Sequence, residues 1–207
     1  MNPKSKQKPI PSESIERIIL ASIDCVSKYG YEGASTEKIA NLANVSKSLI
    51  HYHFKTKEDL LIKSLNYFAN EISEEIKLKI RDYRPSVKTT VIAAKELYNS
   101  LIANKKRAFF FIEMYSTAIH NKKFKRKLQK YHQLEENLIE EVIYQCLHSV
   151  EHKLVFNLRQ LAKIFQTLVI GLAVQTTIDL KNEDIRERFD TFLKIITSVL
   201  LNQNLKS

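Results

Sequence analysis

The run Lys47-Ser48-Leu49-Ile50-His51-Tyr52-His53 places an ammonium, a hydroxyl, two imidazoles and a phenol within seven residues. On a helix whose inner side is Ile50 and Phe54, the residues Lys47, Ser48, His51 and Tyr52 share the outer side. That set suits hydrogen bonding rather than bond making. Lys47 can reach guanine O6/N7 or a phosphate, Ser48 is short enough for a base edge, and His51 can donate to N7, O6 or a phosphate. Leu49 can meet a thymine methyl. Reactive alternatives are poorer. His148-Ser-Val-Glu151-His152 fits the H-x-x-E-H zinc pattern with its histidines on one helix face, but it falls at a helix end and has no identifiable further ligand. His51 and His53, two apart on a helix, point to different sides. Cys25 and Cys146 lie far apart with no CxxC spacing, which reads as two reduced packing thiols. No glycine-rich phosphate loop, nucleophile elbow or Cys-His pair occurs. The expectation is of a binding protein, not an enzyme, with no metal and no cofactor.

The outer face has meaning only if the flanking residues build its helix. Ser35 is placed to cap a short helix with Ile39, Ala40 and Ala43 inward and Thr36, Glu37, Lys38 and Asn41 outward. Asn44 stands where the chain must turn with positive φ, Val45 plugs the angle between the helices, and Ser46 caps the second helix. Small Ala40 lets the two helices cross closely, as a helix-turn-helix requires. A supporting helix precedes them over about Ser12 to Tyr29, with Ile15, Ile18, Ile19, Ser22, Val26 and Tyr29 as its stripe and Gly30 ending it.

The 207 residues can bury a sizeable core. Three glycines and four prolines, three of the latter within the first eleven residues, leave little turn material, so the predicted class is all-α. A formal charge of +10 suits a polyanionic partner. Residues 1–11 read as a basic flexible arm with no signal-peptide core, and no run approaches a bilayer span, so a cytoplasmic protein without membrane contact is expected. The predicted domains are 12–56 for the helix-turn-helix unit and 57–207 for a larger helical unit. A long helix from Lys57 to about Arg81 joins the two, and Pro85 breaks it. Helices are then expected over about Ser86 to Asn104, Lys105 to a basic break at Asn121 to Lys123, Phe124 to His152, Val155 to Leu180 and Asn182 to Asn202, about nine in all. The stretch Ile164 to Val174 is apolar nearly all round, which implies burial on two sides, and Gly171 within it suits a close helix approach.

The segment Ser35 to Leu61 resembles the DNA-binding signature of the tetracycline-repressor (TetR) family, approximately T-x-x-I-A-x-x-A-G-V-S-x-G-x-L-Y-x-[HY]-F-x-x-K-E-x-L. Thr36, Ile39, Ala40, Ala43, Val45, Ser46, His53, Phe54, Lys57, Glu58 and Leu60 are in register. Asn44 and Ser48 replace two glycines, Ile50 replaces Leu, and His51 stands where Tyr is common. Asn44 and Ile50 preserve the fold, whereas Ser48 and His51 alter the groups offered to DNA. The resemblance implies that Thr36, Ser46, His51, His53 and Lys57 lie at positions that often contact the DNA backbone, with Tyr52 at a variable position beside them. It implies a homodimeric transcriptional regulator, most simply a repressor on a palindromic operator in double-stranded DNA, released by a small apolar or amphipathic effector. It also implies a small-molecule pocket among the central helices, for which Tyr98, Phe109, Phe110, Met114, Tyr115 and Phe165 are candidates. A dimer interface on the last two helices is implied too, with Ile164, Leu168, Gly171, Leu172, Phe189, Phe192 and Ile196 as candidates. The competing readings are a ligand-independent or architectural DNA binder, and a helical lipid-binding protein or metal-dependent enzyme with a basic surface.

Overall fold

Helical periodicity dominates the computed structural model, which describes residues 13–149, 154, 156–178 and 181–203. Among these residues there are nine α-helices and no strand. They are α1 (Glu13–Gly33), α2 (Thr36–Ala43), α3 (Lys47–His53), α4 (Lys57–Ile80), α5 (Val87–Leu97), α6 (Lys105–His120), α7 (Lys122–Leu147), α8 (Leu158–Thr177) and α9 (Asn182–Gln203). The basic arm at residues 1–11 lies outside the described residues, as do Glu151 and His152 of the zinc-like pattern. Among the described residues no three His, Cys, Asp or Glu side chains cluster as a metal site, and no helix is long and apolar enough to cross a membrane.

Helices α1 to α3 pack around Ile18, Ile19, Val26, Ile39, Ala40, Ala43, Ile50 and Phe54, all buried. Gly30 does interrupt α1: its φ of 69° and ψ of 175° break the helix, and one further turn carries the chain to Gly33. Tyr29 departs from its expected place in the buried stripe. It is largely exposed, with the ammonium groups of Lys28 and Lys38 at 5.2 and 4.7 Å from its ring centre. Helix α4 then runs behind this unit, its inner face of Leu61, Leu65, Phe68, Ile72 and Ile76 buried. It crosses α1 closely because both helices place a serine at the contact, Ser22 and Ser64, whose hydroxyls are 2.7 Å apart.

The remaining helices continue from α4, with α5 and α7 packed on it, α6 between α1 and α8, and α9 against α5 and α8. One irregularity was not expected. The predicted helix from Ser86 to Asn104 ends as α5 at Leu97 and continues as a π turn, Tyr98–Ile102. Its widened ring turns Tyr98, Leu101 and Ile102 inward, and Tyr98 stacks on Phe189 with centroids 4.7 Å apart. Two helix ends also moved. Helix α7 stops at Leu147 rather than His152. Helix α8 starts at Leu158, where Asn157 and Gln160 form a reciprocal capping box.

Candidate nucleic-acid interface and buried cavity

Local chemistry builds the helix-turn-helix. The Ser35 hydroxyl accepts from the Lys38 amide at 3.2 Å, and the Ser46 hydroxyl from the Leu49 amide at 3.2 Å, so each helix begins on a side-chain cap. Asn44 takes the left-handed conformation with φ 52° and ψ 52°, and its amide reaches the carbonyls of Ala40 and Asn41. With Ile50 and Phe54 fixed inside, α3 presents Lys47, Ser48 and His51 to solvent, and Tyr52 is 82% exposed. Ser46 and Ser48 share a hydroxyl hydrogen bond of 2.8 Å. Thr36 and His53 are half-buried at the rim of the same face, and the Tyr52 and His53 rings meet edge to face at 5.0 Å. The result is a short, capped helix with polar side chains along its outer face, a shape and chemistry that suit a major groove.

Lys57 does not stand free beside them. Its ammonium donates to the Tyr31 carbonyl at 2.8 Å and lies 3.8 Å above the Tyr31 ring centre, because the break at Gly30 turns that residue back onto the start of α4. Tyr31, which carried no signal in the sequence pattern, is a hub. Its hydroxyl donates to Glu58 at 2.9 Å, its amide donates to Glu113 on α6 at 2.7 Å, and its ring packs against Phe124 on α7. Nearby, Lys127 on α7 donates to Asp59 on α4, and that contact above all holds the Asp59 carboxyl below its usual range. The Ser27 hydroxyl donates to the Lys106 carbonyl at 2.8 Å. The Tyr31 and Ser27 contacts thus tie the helix-turn-helix unit to α6, and the Lys127 contact ties the start of α4 to α7.

Above this joint, side chains from α4 to α9 line a partly open cavity of about 90 Å³, room for several waters. Its wall is apolar, including Phe68, Ile72, Leu97, Phe111, Ile139 and Val169. Among the six candidate pocket residues, Phe165 lines it. Tyr98, Phe110 and Met114 are buried in core packing instead, Tyr115 turns toward His132 at 3.1 Å, and Phe109 is substantially exposed. On α6 it is Phe111 that points inward, one residue on from the buried Phe110. The wall also carries an ionisable group, Glu135, which sequence reading missed. Its carboxylate accepts from the Tyr131 hydroxyl at 3.1 Å and from the Gln166 amide at 2.8 Å, and burial pushes it up to about 7. A signal for it exists: Glu135 fills the helical spacing between the apolar residues Tyr131 and Leu138.

The outer face of α8 and α9 leaves Ile164, Val174, Ile178, Ile195 and Leu201 exposed, with half-buried Leu168 and Gly171 among them. A Cβ built on Gly171 would meet nothing within 4 Å in the chain itself. The interface candidates Leu172 and Phe189 point the other way and are spent on packing within the chain, while Phe192 and Ile196 line the cavity. A helix that is apolar all round must divide its faces, and here one side is internal.

Residues 18–63 match the model of the bacterial regulatory proteins of the tetR family. The HTH-type transcriptional regulator BetI of Serratia proteamaculans is 27% identical over 130 residues, which span 61% of this chain and 64% of BetI. Among solved structures, a protein of Rhodococcus sp. described as a TetR-family transcriptional regulator superposes with a TM-score of 0.77 at 21% identity, over 91% of this chain and 99% of that one. The transcriptional regulator FadR of Bacillus subtilis, solved with stearoyl-CoA, gives 0.73 at 19% identity, over 89% and 98%. Residues 18–63 are therefore similar to the tetR family of bacterial regulatory proteins, and the chain as a whole has the fold of these solved regulators.

Proposed function

We propose that the chain is a homodimeric transcriptional regulator that binds a palindromic operator through α3 and leaves it when a small apolar or amphipathic effector fills the cavity. The observation that carries this reading is the outer face of α3, where Lys47, Ser48, His51 and Tyr52 are exposed on a helix capped by Ser46 and anchored by Ile50 and Phe54. Thr36, His53 and Lys57 flank it, Lys57 acting by fixing Tyr31 rather than as a free phosphate ligand. The working division is 12–56 for DNA contact and 57–207 for effector binding and dimerisation. The protein acts in the cytoplasm and catalyses no reaction.

The unpartnered apolar face of α8 and α9 supports dimerisation, and one reader of a palindrome needs a second copy. Ile164, Leu168 and Gly171 belong to that face. Release follows from size. A cavity of about 90 Å³ holds less than a typical ligand site of about 300–1,000 Å³, so a ligand must part α4, α5, α7 and α8. Moving α4 or α7 disturbs the contacts at Tyr31 and Asp59, and with them the placing of α3. FadR, which has this fold, was solved in complex with stearoyl-CoA, a molecule with a long apolar chain.

Genome-wide binding mapped for the wild type and a Lys47→Ala, Tyr52→Ala variant tests the DNA reading. Discrete sites lost in the variant are expected, with circular dichroism unchanged. A wild type without discrete sites, or a variant that keeps them all, ends it.

A further inference from the structure

An apolar wall with one carboxylate is an unusual place to keep a charge. Among the lining residues of the cavity there is no lysine, arginine or histidine, so Glu135 has no counter-charge there. Its two hydrogen bonds come from neutral donors, Tyr131 and Gln166, and occupy about two of the roughly four acceptor positions a carboxylate offers. Burial without a cation costs the folded protein stability, and a hydrophobic residue at this helical position would avoid that cost. A second group in the same cavity is unspent. Ser73, on α4, is buried, and its hydroxyl has no partner among the described residues. A carboxylate with free acceptor positions and an idle hydroxyl, set in hydrocarbon, together describe the complement of a charged hydrogen-bond donor with an apolar body.

Taking the cavity as the effector site proposed above, we infer that its ligand is an apolar amine, whose protonated primary or secondary ammonium is held by Glu135 and Ser73 while its hydrocarbon part lies against Phe68, Phe111, Phe165 and Val169. Charge-assisted bonds of this kind are the strong ones, and a ligand that brings its own cation removes the desolvation penalty Glu135 carries alone. Gln166 is the positioning residue, since it ties the carboxylate to α8 and also donates to the His132 carbonyl at 3.1 Å.

The test is isothermal titration of the full chain with three probes of one length, decylammonium, decanol and decanoate, each below its aggregation concentration. The net charge of +10 attracts anions at long range, so preference for the cation cannot come from the overall field. We expect decylammonium to bind at least about tenfold more tightly than either other probe. Glu135→Gln should bring it to within about threefold of decanol while leaving decanol itself within about threefold of its wild-type value, and Ser73→Ala should weaken the amine alone. Because Glu135→Gln faces Gln166 with a second amide, the exchange Glu135→Gln, Gln166→Glu is the companion variant. It returns a carboxylate to the same hydrogen bond and should restore amine preference. An unchanged amine preference in Glu135→Gln, or tighter binding of decanoate than of decylammonium, overturns the inference while leaving the cavity an effector site. Failure of all three probes to bind overturns the effector-site reading and the inference with it.

Discussion

The backbone N–H of Tyr31 donates to a carboxylate oxygen of Glu113 at 2.7 Å, joining the end of α1 to the middle of α6 across 82 residues of sequence. Gly30 breaks the helix there and leaves that amide without a carbonyl, and Glu113 supplies the missing acceptor. Glu113→Ala is expected to lower stability by about 1–3 kcal/mol in urea unfolding. It should also loosen the DNA-binding unit, seen as faster amide exchange in α1 to α3 than in α8. Equal exchange in both regions would count against Glu113 as a link between them.

Two glycines should respond in opposite directions. Gly30 has φ 69° and ψ 175°, which L-residues rarely adopt, and a Cβ there would sit 3.2 Å from a Glu113 carboxylate oxygen. Gly30→Ala should cost about 1–3 kcal/mol. Gly171 is helical with open space around it in the chain, so Gly171→Ala should raise intrinsic helix stability by about 1 kcal/mol. Thermal unfolding at low protein concentration measures both.

Glu135 sets a pH dependence. Burial raises its folded carboxyl from the ordinary 4.5 to about 7. The folded state therefore holds the proton more tightly than the unfolded state. Between pH 4.5 and 7 the unfolded chain ionises first, and stability falls as pH rises. The penalty is fully present above pH 7 and absent below 4.5, and amounts to about 3 kcal/mol. Glu135→Gln should gain melting temperature over the wild type on going from pH 5 to pH 8. The difference between the two proteins, not either curve alone, is the relevant quantity, because Asp59 works in the opposite sense, stabilising at neutral pH and losing that contribution in acid.

Ile164 is 54% exposed on α8 and Ile195 is 58% exposed on α9. Ile164→Glu with Ile195→Glu should leave the protomer folded and convert a dimer to a monomer in light scattering. Unchanged mass in a wild type already monomeric would remove the interface from this face.

The parts of the fold legible in the sequence were those decided by neighbours. Ser35, Asn44 and Ser46 act within four residues of themselves, and each sits in its expected conformation. Ile50 and Phe54 follow helical spacing, which is equally local. Lys57 escaped the same reading because its partner, Tyr31, is 26 residues away and faces it only after the break at Gly30. Tyr98 and Phe110 looked available for a pocket because composition shows which residues are apolar, not which side of a helix faces a void. The π turn at Tyr98–Ile102 was hidden for a related reason: apolar spacing continues through it, and contacts that accompany the wider ring, such as the stacking of Tyr98 on Phe189, come from residues distant in sequence.

The division of labour within α3 has an evolutionary consequence. The residues that hold the helix in place, Ser46, Ile50 and Phe54, are distinct from those it exposes, Lys47, His51 and Tyr52, and Ser48 touches the scaffold through one hydroxyl contact with the cap. Substitutions on the exposed set leave core packing untouched, so the surface that α3 presents can change at nearly constant thermal stability. The set of groups that α3 offers can therefore drift while the fold that presents them is kept.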